Sequence, residues 1–220
     1  MNKLKILSVT LLVIIFSIAI YLNFYGNLPE KMASHWGISG EIDGYTDRFS
    51  GLFLIPILSL IFFAFLSVLP KFDPLKKNYV SFQKEYDGMI TVFVGFMGYL
   101  YLLTILTSMG FVFDFINMFS IAFAGLFYYM AILLSKAKQN WFVGIKTPWT
   151  LNSKLVWDKT HAICSKLFKA VAIVSLLGVF FKQMLFVSVM LLLAVAAFSF
   201  VYSYVEFNKE KSQALRKKKK

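Results

Sequence analysis

Charge is scarce in this 220-residue chain. Asp, Glu, Lys and Arg make up 15% of it, and only 11 residues are acidic. Soluble domains carry about 25% charged residues, so the chain lacks the polar groups to cover a water-facing surface. Disorder, coiled coils and fibrous repeats are excluded by the same shortage. A single cysteine, Cys164, rules out an internal disulfide. With only two histidines, His35 and His161, it leaves little material for catalysis or a metal centre. His-Glu-x-x-His, Cys-x-x-Cys, Gly-x-Ser-x-Gly and phosphate-loop patterns are all missing. Neither enzymatic activity nor a cofactor nor a metal is expected, and no residue is assigned a catalytic role.

What the chain does have is apolar length. Hydrophobic residues account for 59% and aromatic ones for 18%. A membrane-crossing helix needs roughly 20 apolar residues. Ile6–Tyr25, Gly51–Leu69, Met89–Met109, Ile116–Leu134 and Met184–Val205 meet that need. Leu167–Phe181 is short, but starting it at Ile163 lengthens it, with Lys166 and Lys169 snorkelling to the headgroups. The expectation is an all-α integral membrane protein, a bundle of six transmembrane helices. The first apolar run, at 20 residues, is longer than the core of a cleaved signal peptide and is read as a retained helix. The chain divides into residues 1–70, a helix hairpin with its loop 26–50; 71–135, a central helix pair; and 136–220, a Trp-rich loop, the last helix pair and a polybasic tail.

Net charge is +12, and its distribution carries information. Six crossings place 20 of the 23 Lys and Arg residues on one side, leaving Lys31, Arg48 and Lys182 on the other. Basic loops stay cytoplasmic, which puts both termini in the cytosol and loop 26–50 outside. Arg216 and Lys217 to Lys220 read as an anchor to anionic membrane lipid rather than a nucleic-acid site.

Two polar segments stand out. In the outer one, Pro29-Glu30 suits the first turn of a short helix and Asp43-Gly44 suits a turn. His35, Trp36, Asp43 and Tyr45 are its candidate ligand-sensing residues. The segment is either a receptor surface for something arriving from outside or a cap packed on helix ends. In the inner one, Gly144, Lys146, Thr147, Pro148, Trp149, Trp157, Lys159 and His161 are the candidates. Asn152 or Ser153 suits a helix cap, with Trp157 and His161 one turn apart on the helix that follows. Trp141, Trp149 and Trp157 suit the headgroup layer. This segment is a docking surface or movable latch, or else an interfacial element that fixes the bundle. Asp114 is read as part of a short outer turn, and Gly95 and Gly98 as sites of close helix packing. A lack of clear central charge in any span argues against an ion-coupled transporter.

Both polar segments resemble the SdpI family of bacterial membrane proteins. The first match runs from Leu28-Pro29 through His35-Trp36-Gly37 to Gly40-Glu41-Ile42-Asp43-Gly44-Tyr45, and is similar to the domain of unknown function that opens these proteins. The second is Gly144-Ile145-Lys146-Thr147-Pro148-Trp149-Thr150-Leu151, then Val156-Trp157 and Lys159-Thr160-His161. Lys146 stands where the family pattern suggests Arg, and Ala162 to Ser165 where a Gly pair is expected. The resemblance implies a multi-pass protein of the cell membrane that gives immunity to a secreted peptide toxin. It further implies a signalling partner, an ArsR-type autorepressor held at the membrane when toxin is present. A small transporter or permease and a structural subunit of a membrane complex are the alternatives.

Overall fold

In the computed structural model, which describes residues 2–37 and 39–218, six long apolar helices run back and forth. They are α1 (Lys3–Tyr25), α2 (Arg48–Phe72), α3 (Gln83–Ser108), α4 (Phe115–Lys136), α6 (Lys154–Leu177) and α7 (Gln183–Lys218). A short helix, α5 (Pro148–Asn152), lies between α4 and α6, and a 3₁₀ turn at Lys76–Phe82 leads into α3. Each long helix reaches at least about 33 Å at 1.5 Å per residue, enough for the hydrocarbon core. Val13, Phe65, Leu102, Ile173 and Phe200 point outward and exposed, as suits helices whose solvent is lipid rather than water. The protein is a multi-pass membrane bundle.

Caps set where the helices start. Asn2, Asp47, Asp114 and Ser153 each accept a backbone N–H of their helix's first turn, at 2.9–3.2 Å. Asp114 therefore lies in the turn before α4, as its surroundings suggested. The Ser153 cap starts α6 nine residues before Ile163, because its first turns are buried against protein and need no lipid-facing surface. At the other extreme α7 continues past Val205 to Lys218 on residues that favour helix, among them Glu, Lys, Gln and Ala. Within α2, Pro70 cannot donate to the Leu66 carbonyl, and the Tyr86 hydroxyl of α3 supplies that bond at 2.6 Å.

Helices α1, α2 and α3 form one group, and α4, α6 and α7 a second, joined along α3 and α4. At one end α1 is pinned to α3. The Asn2 amide donates to Asp87 at 2.5 Å, Lys5 lies 3.5 Å from the same carboxylate, and Ser8 and Thr91 share a 2.9 Å hydrogen bond. Gly98 lets the Ile15 side chain of α1 approach, since a Cβ there would sit 2.9 Å from it; Gly95 has open space and makes no such contact. At the other end the Arg48 guanidinium donates to the Leu22, Asn23 and Gly26 carbonyls at 2.7–3.2 Å. It thereby closes the α1 C-terminus against the start of α2.

That second end carries a β-hairpin where a short helix was expected. Strands β1 (Lys31–Trp36) and β2 (Ile42–Asp47) pair antiparallel. In β2, exposed Asp43, Tyr45 and Asp47 alternate with half-buried Ile42, Gly44 and Thr46, a period of two that belongs to a strand and not a helix. Pro29 precedes the hairpin and starts nothing helical. Asp43-Gly44 is not the turn but part of β2. The chain reverses between the strands, where the Gly37 amide donates to the Glu41 carbonyl at 2.8 Å and Gly40 takes φ +84°.

Candidate functional site

The two family-like segments lie at opposite ends of the bundle, called here the hairpin end and the basic end. At the basic end, residues 137–153 are folded around buried side chains. Asn140 donates to the Lys138 and Val143 carbonyls at 2.9 and 2.8 Å, and its oxygen accepts the Phe142 and Val143 amides at 3.0 and 2.6 Å. Asp73, after α2, accepts the Trp141 amide at 2.9 Å and the Leu75 amide at 2.7 Å. The Tyr79 hydroxyl lies 3.2 Å from both Asp73 and Asn140 and shares its one proton between them. Satisfied polar groups of this kind fix one geometry, because leaving any of them unpaired in the interior is costly.

The candidates of this segment fall into place around that centre. Gly144 has φ +111°, and a Cβ there would run into the His161 ring. The Ile145 amide donates to His161 Nε2 at 3.0 Å, and His161 Nδ1 donates to the Trp157 carbonyl at 2.9 Å. This bonding assigns a neutral imidazole with its proton on Nδ1. Trp157, fully buried, stacks on His161 with centroids 4.0 Å apart, and its indole N–H donates to the Ala137 carbonyl at 2.9 Å. One side chain thus ties α6 to the end of α4. Thr147 and Thr150 form a reciprocal cap on α5 with Pro148 in the first turn, and the Thr147 hydroxyl reaches Ser203 of α7 at 2.9 Å. Trp149 packs edge-on to Phe200 of α7, 4.9 Å away, and beside Tyr204 at 5.1 Å. Lys159 pairs with Glu206 of α7 at 2.6 Å, and the Ser153 hydroxyl donates to Glu210 at 2.5 Å.

The three tryptophans therefore do not share a headgroup layer. Trp157 is core, Trp149 is half-buried against α7, and Trp141 is exposed. Lys146 and Pro148 also remain exposed. Asp73, Tyr79 and Glu206 were missed from sequence. Asn140 was missed as well, although Asp and Asn in loops readily bond nearby backbone amides.

At the hairpin end, Met32 is buried above Leu52 and Tyr101, and Gly51 of α2 leaves room for it, since a Cβ there would sit 2.8 Å from the Met32 sulfur. The bulge between Ala33 and Trp36 puts His35 opposite Gly44, whose missing Cβ would lie 2.8 Å from that of His35. His35 Nδ1 and Asp43 Oδ1 meet on the exposed face at 2.5 Å. Trp36 turns the other way, stacking on Phe115 of α4 at 4.1 Å and lying edge-on to Phe119 at 6.2 Å. Tyr45 is 61% exposed and touches neither cleft described next. One cleft, of about 340 Å³, opens between β1, α2, α3 and α4; the other, of about 490 Å³, between the hairpin turn, α4 and α7. Trp36 and Phe119 line both. Among the described residues no three His, Cys, Asp or Glu side chains gather as a metal would need.

Residues 136–203, which hold the Trp157–His161 joint, match the SdpI/YfhL protein family. Residues 11–60, which hold the hairpin, match the domain of unknown function DUF1648. Together the two matches cover just over half of the chain. Over residues 136–203 the chain is similar to the SdpI family. Across its length it is similar to "Immunity protein SdpI" of Bacillus subtilis (strain 168), with 24% identity over 212 residues, covering 94% of this chain and 97% of that relative. No solved structure matches. In this chain the SdpI-like segment is a buried joint of α4, α6 and α7, and the DUF1648-like segment contributes the hairpin, which borders the clefts together with α3, α4 and α7.

Proposed function

We propose that the protein is a membrane immunity protein of the bacterial cell membrane. It receives a secreted toxic peptide at the hairpin end and passes its presence to a cytoplasmic repressor of the ArsR type at the basic end. The observation that carries this reading is the likeness, along nearly the whole of both chains, to a relative named for immunity. The orientation follows from the basic residues, 20 of 23 of which six crossings of the sequence assign to the side opposite loop 26–50. His35, Trp36, Asp43 and Tyr45 face the exterior in this reading. Exposed Lys146 and Pro148 offer the repressor a contact, while the buried members of that segment hold its shape.

A transporter would want polar groups lining a cavity at mid-depth. The cleft there, between α1 and α3, is lined by Leu11, Ile14, Ile15, Ile18 and their like, which gives that alternative little support. Two experiments test the proposal. Expression of the protein in a sensitive strain should raise survival when secreted toxic peptides of neighbouring and parental strains are applied; equal killing with and without it rejects immunity. An impermeant thiol reagent applied to intact cells should modify Ser39→Cys and spare Lys146→Cys, and the opposite pattern rejects the orientation.

A further inference from the structure

The two clefts at the hairpin end share a wall, and that wall carries an unanswered donor. The Trp36 indole N–H is buried and has no hydrogen-bond partner. A buried polar group left without a partner costs free energy, so a ligand that brings an acceptor gains there. On either side lie apolar surfaces, Leu54 and Leu100 in one cleft and Phe186 and Val189 in the other. Both volumes fall in the range of about 300–1,000 Å³ usual for ligand sites.

The surrounding charge is one-sided. Glu30, Glu41, Asp43 and Asp47 are exposed on the hairpin, with Lys31 the exposed Lys or Arg beside them. Arg48 is turned onto the α1 carbonyls, and Lys182 pairs with Asp114 at 2.6 Å. The end that carries the clefts thus presents net negative charge to an approaching molecule, which favours encounter with a cation.

We propose that the clefts astride Trp36 form one binding site for a cationic peptide that inserts a bulky apolar side chain into each. As the peptide enters, the Trp36 ring shifts and its indole N–H, closed to solvent beforehand, donates to a backbone carbonyl of the peptide, whose basic side chains meet the hairpin carboxylates. An acyl chain fills apolar space equally well, but brings neither the acceptor nor the positive charge. This deepens the immunity reading, on which it rests for the idea that a peptide arrives from outside.

The test uses the full chain in phosphatidylcholine nanodiscs, titrated at low salt with a synthetic 12-residue peptide of alternating Lys and Phe and with its Glu–Phe counterpart. The Lys–Phe peptide should bind saturably and at least tenfold more tightly than to empty nanodiscs, and the Glu–Phe peptide at least tenfold more weakly. Leu54→Trp and Val189→Trp, which fill one cleft each, should each weaken binding at least tenfold, and Trp36→Phe severalfold. Unfolding midpoints, read by thiol-dye access to the buried Cys164, confirm that each variant is folded. No saturable binding, equal binding of both peptides, or indifference to both filling variants overturns the site. So does co-purifying phospholipid that Leu54→Trp expels while peptide binding is unchanged. Survival under toxin is scored separately. Protection that persists in both filling variants overturns the site and leaves immunity standing, whereas cleft-dependent peptide binding without protection upholds the site and ends the immunity reading.

Discussion

At the basic end, the segment joining α4 to α6 turns its side chains inward, and Asn140, Thr150, Trp157 and His161 are all buried and bonded. At the hairpin end, the segment joining α1 to α2 holds on by Met32, Ala33, Trp36 and the Arg48 clasp, and leaves its acids, His35 and Tyr45 in the open. Both segments carry family-like motifs, yet they use their residues in opposite ways. A motif rich in Trp, Thr and His can be a device for fixing helices, and its residues then report on stability. A motif whose polar groups face outward has no such duty, and its residues are free to meet a partner. Substitutions should separate the two ends by what they damage.

The largest effect is expected from Trp157→Ala. It opens a cavity in the core and leaves the Ala137 carbonyl without its donor, at a cost of about 3–5 kcal/mol. Thermal unfolding in detergent, followed by exposure of Cys164, should show a sharply lowered midpoint or no folded protein. A midpoint equal to wild type would mean that the joint does not hold α4 to α6. Gly144→Ala comes next, at roughly 1–3 kcal/mol for the left-handed backbone alone, before the push against His161. By contrast His35→Ala, on the exposed face of the hairpin, should stay within about 0.5 kcal/mol. If His35→Ala unfolds the protein as readily as Gly144→Ala, the contrast between the ends is lost.

Why some of this was legible in sequence and some was not follows from the physics of each part. Six crossings were legible because lipid demands a long uninterrupted apolar run, and six such runs are present. Ser153 as a cap and the Trp157–His161 adjacency were legible because helix spacing is fixed. The hairpin was not. Its local signals, Pro29-Glu30 and Asp43-Gly44, suit other structures as well, and what selects the strand is Met32 settling over Gly51 and Trp36 over Phe115. Nor was the network of Asp73, Tyr79 and Asn140 legible, since it ties the loop after α2 to residues 61 and 68 positions further along the chain. The separate fates of Trp149 and Trp157 depend on the neighbours that the fold brings to each, Phe200 and Tyr204 of α7 to Trp149 and Ala137 of the α4 end to Trp157, and composition names none of them.

A smaller effect should mark the link between α6 and α7. Lys159 and Lys209 both bond the buried Glu206 carboxylate, at 2.6 and 2.7 Å. Lys159→Met leaves one cation in place, so a loss of about 1 kcal/mol is expected rather than the several that an unpaired buried charge would cost. A double-mutant cycle with Glu206→Gln measures the coupling. A coupling indistinguishable from zero would detach α7 from the joint and confine the rigid region to α4 and α6.

An effect smaller than that at Glu206 is expected at the hairpin end, in the ion pair of Asp114 and Lys182, both partly exposed. The bond from Lys182, aided by the Asn117 and Ile116 amides, holds the Asp114 carboxyl below its ordinary value of 3.8. A carboxyl lowered in the folded state stabilises that state at any pH above the unfolded value. The gain disappears as pH falls through the lower, folded value. Asp114→Asn keeps a capping side chain at the start of α4 and removes only the charge. The difference in unfolding midpoint between wild type and Asp114→Asn should therefore be constant from pH 8 to pH 5, correspond to less than about 1 kcal/mol, and shrink only below pH 4. High salt should reduce it throughout, because the pair is open to water. A difference that is large, insensitive to salt and already fading at pH 6 would mean a buried, tightly held pair. The hairpin end would then be built like the joint at the other end, and not as an open receiving face.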